Sequence, residues 1–270
     1  MAPSRRPICL DCNATTPHDP EVIETMRPFL EAEFGHPSSG HAHGRVARQD
    51  VEEARAHVAA LIGARPAEVV FTNAGTESNN YAILGSARAL RGLRPETILV
   101  TVMHANNEIG TVEPVEQIGR LRGRRDMLFH TDAAQSVGKI PVDVAPHGAG
   151  QERGYRAGTE NVLGVVGLGA ACRVPARDLA ANASAMRRSR DLLHRRFAAR
   201  CEVGLNADEE RRLPNTLNLS FGGVRSDELI AAVADVVAVS AGSACHSGSV
   251  TVSPVIEAFG VPLEWAQGAI

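Results

Sequence analysis

Lysine is the residue this chain most nearly lacks. Of 28 basic residues in a 270-residue sequence only one, Lys139, is a lysine, and all the others are arginines. Chemistry that needs a side-chain amine therefore has a single candidate. Aromatic residues are sparse at 4%, so the core must rest on Ala, Val, Leu and Ile. Cysteines are few and odd in number. Cys9, Cys12, Cys172, Cys201 and Cys245 contain one CxxC and no second pair, which is weak support for a metal or redox centre. Cys9 and Cys12 read as ordinary thiols of a reducing cytosol. No apolar run approaches the roughly 20 residues of a membrane span. Met1 to Pro7 carries two arginines with no apolar signal core behind them. A cytoplasmic protein without membrane contact or metal is the expectation. A formal net charge of -3 gives no electrostatic reason to expect nucleic acid as a partner.

What is present has globular character. Hydrophobic residues make up 44% and charged residues 22%, in a length that suits one large domain and a small one. Asp19-Pro20-Glu21 pairs an N-cap aspartate with proline at the first helical position and opens a helix to about Phe34. Arg48 to Ile62 has helical period, with Val51, Ala54, Val58 and Leu61 on one face. Glu68 to Phe71 reads as a short strand that turns at Gly75-Thr76 into a helix from about Glu77. A strand from Thr97 to Met103, a helix from Val115 to Leu121 and a strand at Met127-Leu128-Phe129 continue an alternating α/β order. Arg177 to Arg200 reads as a long helix with a solvated basic face, joining the domains. Beyond it, Thr216 to Phe221 alternates as a strand, Asp227 to Val233 is helical, and Val236 to Val239 is another strand.

His130-Thr131-Asp132-Ala133-Ala134-Gln135 is the most informative stretch. Asp132 and Gln135 fall at the carboxyl end of a strand, the edge where open parallel sheets bind ligands. A carboxylate there can pair with a protonated ring nitrogen, and an amide three residues on can reach a neighbouring ring oxygen. Pyridoxal phosphate offers both groups, and an acidic partner on its pyridinium nitrogen tunes it. The plainer alternative is an aspartate capping the next turn. Gly75-Thr76 offers a phosphate the N–H groups and dipole of a helix start, or is a simple turn.

Further motifs surround that stretch. They include Asp11-Cys12-Asn13-Ala14-Thr15-Thr16-Pro17, Phe71-Thr72-Asn73-Ala74-Gly75-Thr76-Glu77-Ser78-Asn79-Asn80 and Ala105-Asn106-Asn107-Glu108-Ile109-Gly110. Gly154-Tyr155-Arg156-Ala157-Gly158-Thr159-Glu160-Asn161, Leu213-Pro214-Asn215-Thr216 and Ser240-Ala241-Gly242-Ser243-Ala244-Cys245-His246-Ser247 follow. In this order they resemble the cysteine desulfurases and selenocysteine lyases, the class V aminotransferase branch of fold-type I pyridoxal-phosphate enzymes. The resemblance implies a three-layer α/β/α large domain at 1–172, internally shortened, and a small α/β domain at 173–270. It implies pyridoxal 5'-phosphate as cofactor, L-cysteine or L-selenocysteine as substrate, a homodimer, and a sulfur- or selenium-acceptor protein. Cys245 then attacks the substrate's sulfur or selenium and keeps it as a persulfide or selenide, leaving L-alanine. Its small polar loop suits a reachable thiol, and a protonated His246 would lower the thiol's pKa. Gly75 and Thr76 correspond to phosphate contacts, and Thr159 to one that reaches the phosphate from a partner subunit. Asn107 and Gln135 correspond to contacts near the ring oxygen, Asp132 to the partner of the ring nitrogen, and Asn13 to a substrate-carboxylate contact. The Cys245-His246-Ser247-Gly248 form of the loop looks more like the selenocysteine lyases.

The same resemblance exposes gaps. The family holds its cofactor as a Schiff base on a lysine, which should lie between Val144 and Gly148, where this chain has only Ala145-Pro146-His147. Lys139 matches a different family lysine. A segment with a ring-stacking histidine is expected to be missing at Val100-Thr101, where two strands would be fused. The carboxyl-terminal arginine segment that binds the substrate carboxylate in the family is expected to be missing too. Three readings remain: a shortened or alternatively spliced product of a desulfurase or lyase gene, a pseudoenzyme that dimerises with or regulates an intact member, or a different pyridoxal-phosphate or phosphate-binding activity on the reduced fold. Clean gaps between intact motifs favour the first.

Overall fold

The computed structural model describes residues 7–89, 99–122, 128–144, 161–241 and 252–270. The chain splits into two compact units. One comprises Met1–Pro17, Ala105–Glu113 and Ala183–Ile270, the other His18–His104 and Pro114–Asn182. Where the motifs suggest a boundary after residue 172, the larger unit runs on to Asn182, and two early segments group with the carboxyl-terminal part.

In the larger unit, α1 (Pro20–Glu31) starts as expected, because Asp19 accepts a hydrogen bond from the Glu21 amide at 2.8 Å. It stops short of Phe34, because the Ala32 and Glu33 amides both turn back to the Pro28 carbonyl. The second helix, α2 (Ala42–Ile62), begins ahead of the expected Arg48. His41 caps it, its Nδ1 accepting from the Gly44 amide at 3.2 Å. Hydrophobic period could not reveal that start, since the first turn buries no large apolar side chain. Val51, Ala54 and Ala59 of α2 form one core cluster with Val69, Phe71 and Val165. The helix α5 (Val162–Ala198) lies directly on α2: a Cβ at Gly169 would stand 2.6 Å from Ala54, so only glycine permits that approach. This helix is longer than Arg177 to Arg200. Asp178 breaks it at φ -134°, ψ 24°, shortly after Pro175, whose ring and missing N–H disfavour helix continuation.

The expected strand at Glu68 to Phe71 does not form. Pro66–Glu68 is instead a short 3-10 turn, closed by the Arg65 amide donating to the Glu68 carboxylate at 2.8 Å. Beyond it Arg55 Nη1 donates to the Val69 carbonyl at 2.6 Å, and its guanidinium lies 4.8 Å from the Phe71 ring centroid. A side chain therefore satisfies a carbonyl that a neighbouring strand would otherwise take. Next come α3 (Gly75–Ala89), β2 (Leu99–Met103), α4 (Val115–Arg122) and β3 (Leu128–Asp132). Strands β2 and β3 pair in parallel, from Leu99 opposite Leu128 to Met103 opposite Asp132, with α4 in the connection that a parallel pair requires.

In the smaller unit, β1 (Ile8–Cys9) pairs in parallel with β6 (Val237–Ala238), and β4 (Val203–Leu205) runs antiparallel to β5 (Leu219–Phe221). The expected strand from Thr216 is thus only its last part. Asn218, just before it, is held by side chains: its Oδ1 accepts from Asn206 Nδ2 at 2.7 Å. The helices are α6 (Ser226–Val233), α7 (Pro254–Ala258) and α8 (Leu263–Ala266). Ile109, Ile256, Ala266 and Ala269 form the core. Among the described residues, no helix is long and apolar enough to cross a membrane.

Candidate functional site

Asp132 ends β3, and its two oxygens are both engaged. Oδ2 accepts from Asn79 Nδ2 and Oδ1 from the Ala134 amide, each at 2.9 Å. The second bond is the turn-capping role of the plainer reading of Asp132. The first bond ties the strand end to α3. Thr76 is one turn ahead of Asn79 on the same helix face, about 5–6 Å away between Cβ atoms. The amino end of α3 and the carboxyl end of β3 therefore meet, as a ligand site at this sheet edge requires. Its motif alone does not single out Asn79, since the bond to Asp132 spans 53 positions.

Space and charge at the start of α3 suit an anion. A Cβ on Gly75 would meet nothing within 4 Å, and Thr76 is exposed. Glu77 works against this in part, because its carboxylate accepts the Asn73 amide at 2.8 Å. On the other side of Asp132, the Gln135 amide oxygen accepts from Lys139 Nζ at 3.1 Å. The chain's one amine is thus bonded beside the site's amide. His104 has a positioning part: its amide donates to the Asp132 carbonyl at 2.7 Å and its Nδ1 pairs with Ser136 Oγ at 2.9 Å. Burial pushes the His104 imidazole below its ordinary value, with Glu116 opposing the shift.

Asn13 and Asn107 belong to the smaller unit. Asn13 Nδ2 donates to Thr216 Oγ1 at 3.0 Å and to the Asn107 carbonyl at 3.3 Å, and its Oδ1 accepts from Asn215 Nδ2 at 2.9 Å. The turn here is capped by Asn106, whose Oδ1 accepts the Glu108 and Ile109 amides. Asn106, not Asn107, thus makes an Asx turn here. Gly110, at φ 73°, completes it, and a Cβ there would strike Thr216 at 2.7 Å. Thr159 and Cys245 lie outside the described residues, as does the stretch where the cofactor lysine was expected.

Pyridoxal phosphate can be tested against these residues. An acid at the end of β3 suits a protonated ring nitrogen, and the open start of α3 suits a phosphate. Covalent attachment does not fit: Lys139 is the only lysine of the chain, and its amine is bonded to Gln135.

Known proteins agree with the motifs. The family model described as aminotransferase class-V matches residues 8–92, 86–150 and 147–262. The three matched ranges overlap at 86–92 and 147–150. A cysteine desulfurase IscS of Dictyoglomus turgidum is 35% identical over 350 residues, covering 98% of this chain and 89% of its own length. That alignment is longer than the 270 residues available here, so the relative contains stretches without a counterpart. A cysteine desulfurase of Pongo abelii is 34% identical over 354 residues, covering 99% of this chain and 77% of its own. Among solved structures, a NifS-like protein superposes with a TM-score of 0.86 at 27% identity, over 98% of this chain and 92% of its own. DndA from Streptomyces lividans gives 0.75 at 29% identity, over 95% and 96%.

Proposed function

This chain belongs to the aminotransferase class-V family, and from that premise we propose that its activity is desulfuration of L-cysteine. The family is pyridoxal-phosphate dependent and has the fold-type I architecture. In the proposed reaction the substrate sulfur passes to the Cys245 thiol, giving L-alanine and a Cys245 persulfide, with no outside oxidant or reductant. The observation that carries the reading is Asp132 at the end of β3, joined through Asn79 to the open start of α3.

Bound pyridoxal phosphate supplies an electron sink for bond breaking at the substrate's α and β carbons. The chain supplies position and charge. Asp132 holds the proton on the ring nitrogen, its own orientation set by Asn79 and Ala134. Gly75 and Thr76 bind the phosphate, with Thr159 of a second copy. Gln135 and Asn107 orient the ring oxygen, and Asn13 the substrate carboxylate. A homodimer, an acceptor protein for the sulfur and a cytoplasmic location complete the proposal. Leu30 and Phe34, 70% and 73% exposed, support a covered apolar surface. Selenocysteine is the second substrate to compare, because of the Cys245-His246-Ser247-Gly248 loop.

Without a lysine at the family position, the amine that would shuttle the proton at the substrate's α carbon is missing. Such acid–base work contributes roughly 10²–10⁴-fold, so turnover by this chain is expected to be lower than a lysine-bearing relative's by at least that factor. Two measurements test the proposal. Saturable binding of pyridoxal phosphate should be present and should be lost in Asp132→Ala; no binding at all overturns the reading. Borohydride reduction followed by mass spectrometry should leave Lys139 unmodified. Alanine release at the relative's rate, abolished by Cys245→Ser, would show that another group replaces the lysine.

A further inference from the structure

Arg212, in the smaller unit, is buried, charged and only partly answered. Its side chain is 8% exposed, and its Nε and Nη1 are buried with no hydrogen-bond partner among the described residues. Asp191 stands 3.7 Å from its Nη2, and the same Asp191 oxygen is 2.8 Å from Nη2 of Arg190, whose side chain is 6% exposed. Arg190 spends a further N–H on the Leu213 carbonyl at 2.6 Å. Two buried guanidiniums thus share one carboxylate, and an uncompensated buried charge is costly.

The backbone around Arg212 is held on both sides. The Arg211 carbonyl accepts from the Val112 amide at 2.9 Å, and the Leu213 amide donates to the Gly110 carbonyl at 2.7 Å. Asp208 Oδ1 accepts the Glu210 and Arg211 amides at 3.0 and 2.7 Å. A guanidinium so placed is organised before any ligand arrives, which lowers the entropy cost of binding. Arg190 and Arg212 line a cleft of about 420 Å³, with Arg187 and Arg195 exposed on the α5 side and Glu209 and Glu210 exposed on the loop side. That volume lies in the range of small-molecule sites and exceeds what one inorganic ion fills.

We propose that this cleft binds a small organic oxyanion, a carboxylate or a phosphate ester, with Arg212 as its anchoring residue. A planar guanidinium suits either group, and the charge-assisted bonds are strong ones. One oxyanion supplies the negative charge that Asp191 alone does not. Glu209 and Glu210 oppose a polyanion and favour a ligand of low charge. Burial and the neighbouring Arg190 charge push the Arg212 guanidinium below its ordinary range, with Asp191 and Glu209 opposing the shift only in part.

Calorimetric titration of the full chain at constant ionic strength, with glycerol phosphate, malonate or chloride, tests the proposal. Saturable binding of one oxyanion is expected, with chloride inert, and the arm that binds identifies phosphate or carboxylate as the ligand group. Arg212→Gln should weaken it roughly tenfold or more. The exposed Arg195→Gln should weaken it about two- to threefold, and more at low salt. No saturable binding by either oxyanion overturns the proposal. So does phosphate binding that Thr76→Ala removes and Arg212→Gln leaves intact, since that would be binding at α3. If Arg212→Gln does not fold, the doubly substituted Arg187→Gln/Arg195→Gln decides, and unchanged binding counts against the cleft.

Discussion

Arg55 and Arg212 are both arginines taken out of water, and their surroundings are opposite in kind. Arg55 is 8% exposed, bonded to the Val69 carbonyl, 3.2 Å from Glu52 and stacked over Phe71. Its protein neighbours complete it, and it completes them by satisfying a carbonyl that lacks a strand partner. Arg212 has a shared carboxylate at 3.7 Å and two buried nitrogens, Nε and Nη1, without hydrogen-bond partners among the described residues. A buried charge answered by the fold serves stability. One left incompletely answered costs stability unless a ligand answers it.

The largest expected effect separates the two directly. Arg55→Met should cost about 2–3 kcal/mol in urea unfolding, because it strands the Val69 carbonyl and removes a charged donor. Arg212→Met in anion-free buffer should lie within about 1 kcal/mol of no change, since exchanging an incompletely paired charge for an apolar side chain is often neutral. Equal losses would erase the contrast. A smaller effect is expected at Asp132, whose oxygens are both engaged. Asp132→Ala should cost about 1–2 kcal/mol through the lost cap and the Asn79 bond, measured the same way.

The last effect is confined to alkaline pH and concerns a buried group that is neutral. Burial pushes the Cys172 thiol up from 9.0 to about 11. Below pH 9 the thiol is protonated in both folded and unfolded chains and adds no pH dependence. Above it the unfolded chain ionises first, so stability falls as pH rises from 9 towards 11 and levels beyond. Cys172→Ala should flatten that alkaline limb in unfolding curves taken across this range. An unchanged limb would place the titrating group elsewhere.

Much of the larger unit was legible in its residues. The cap at Asp19, the strand entering Asp132 and the helix at Val115 depend on neighbours within a few positions, and those neighbours are readable. The absent strand at Glu68 was not. Val69 and Phe71 are as apolar as a strand requires, but Arg55, 14 positions away, takes the carbonyl. The early start of α2 was hidden because histidine is an unusual N-cap. Of the candidate site, Asp132, Gln135, Gly75 and Thr76 could be placed from motif and strand edge. Asn79 needed the structure, since nothing local says that a helix side chain will bond an acid 53 positions on.

By itself the sequence determined the family, through motifs in fixed order, and the single lysine, which sets what covalent chemistry the chain can support. It also determined that an acid ends β3. Tertiary structure alone decided which arginine is answered and which is not, and that early residues 105–113 group with the carboxyl-terminal unit. The physical reason is range. Caps, periods and motifs act between residues close along the chain. Ion pairing and burial depend on which distant side chains the fold brings to the same few ångströms.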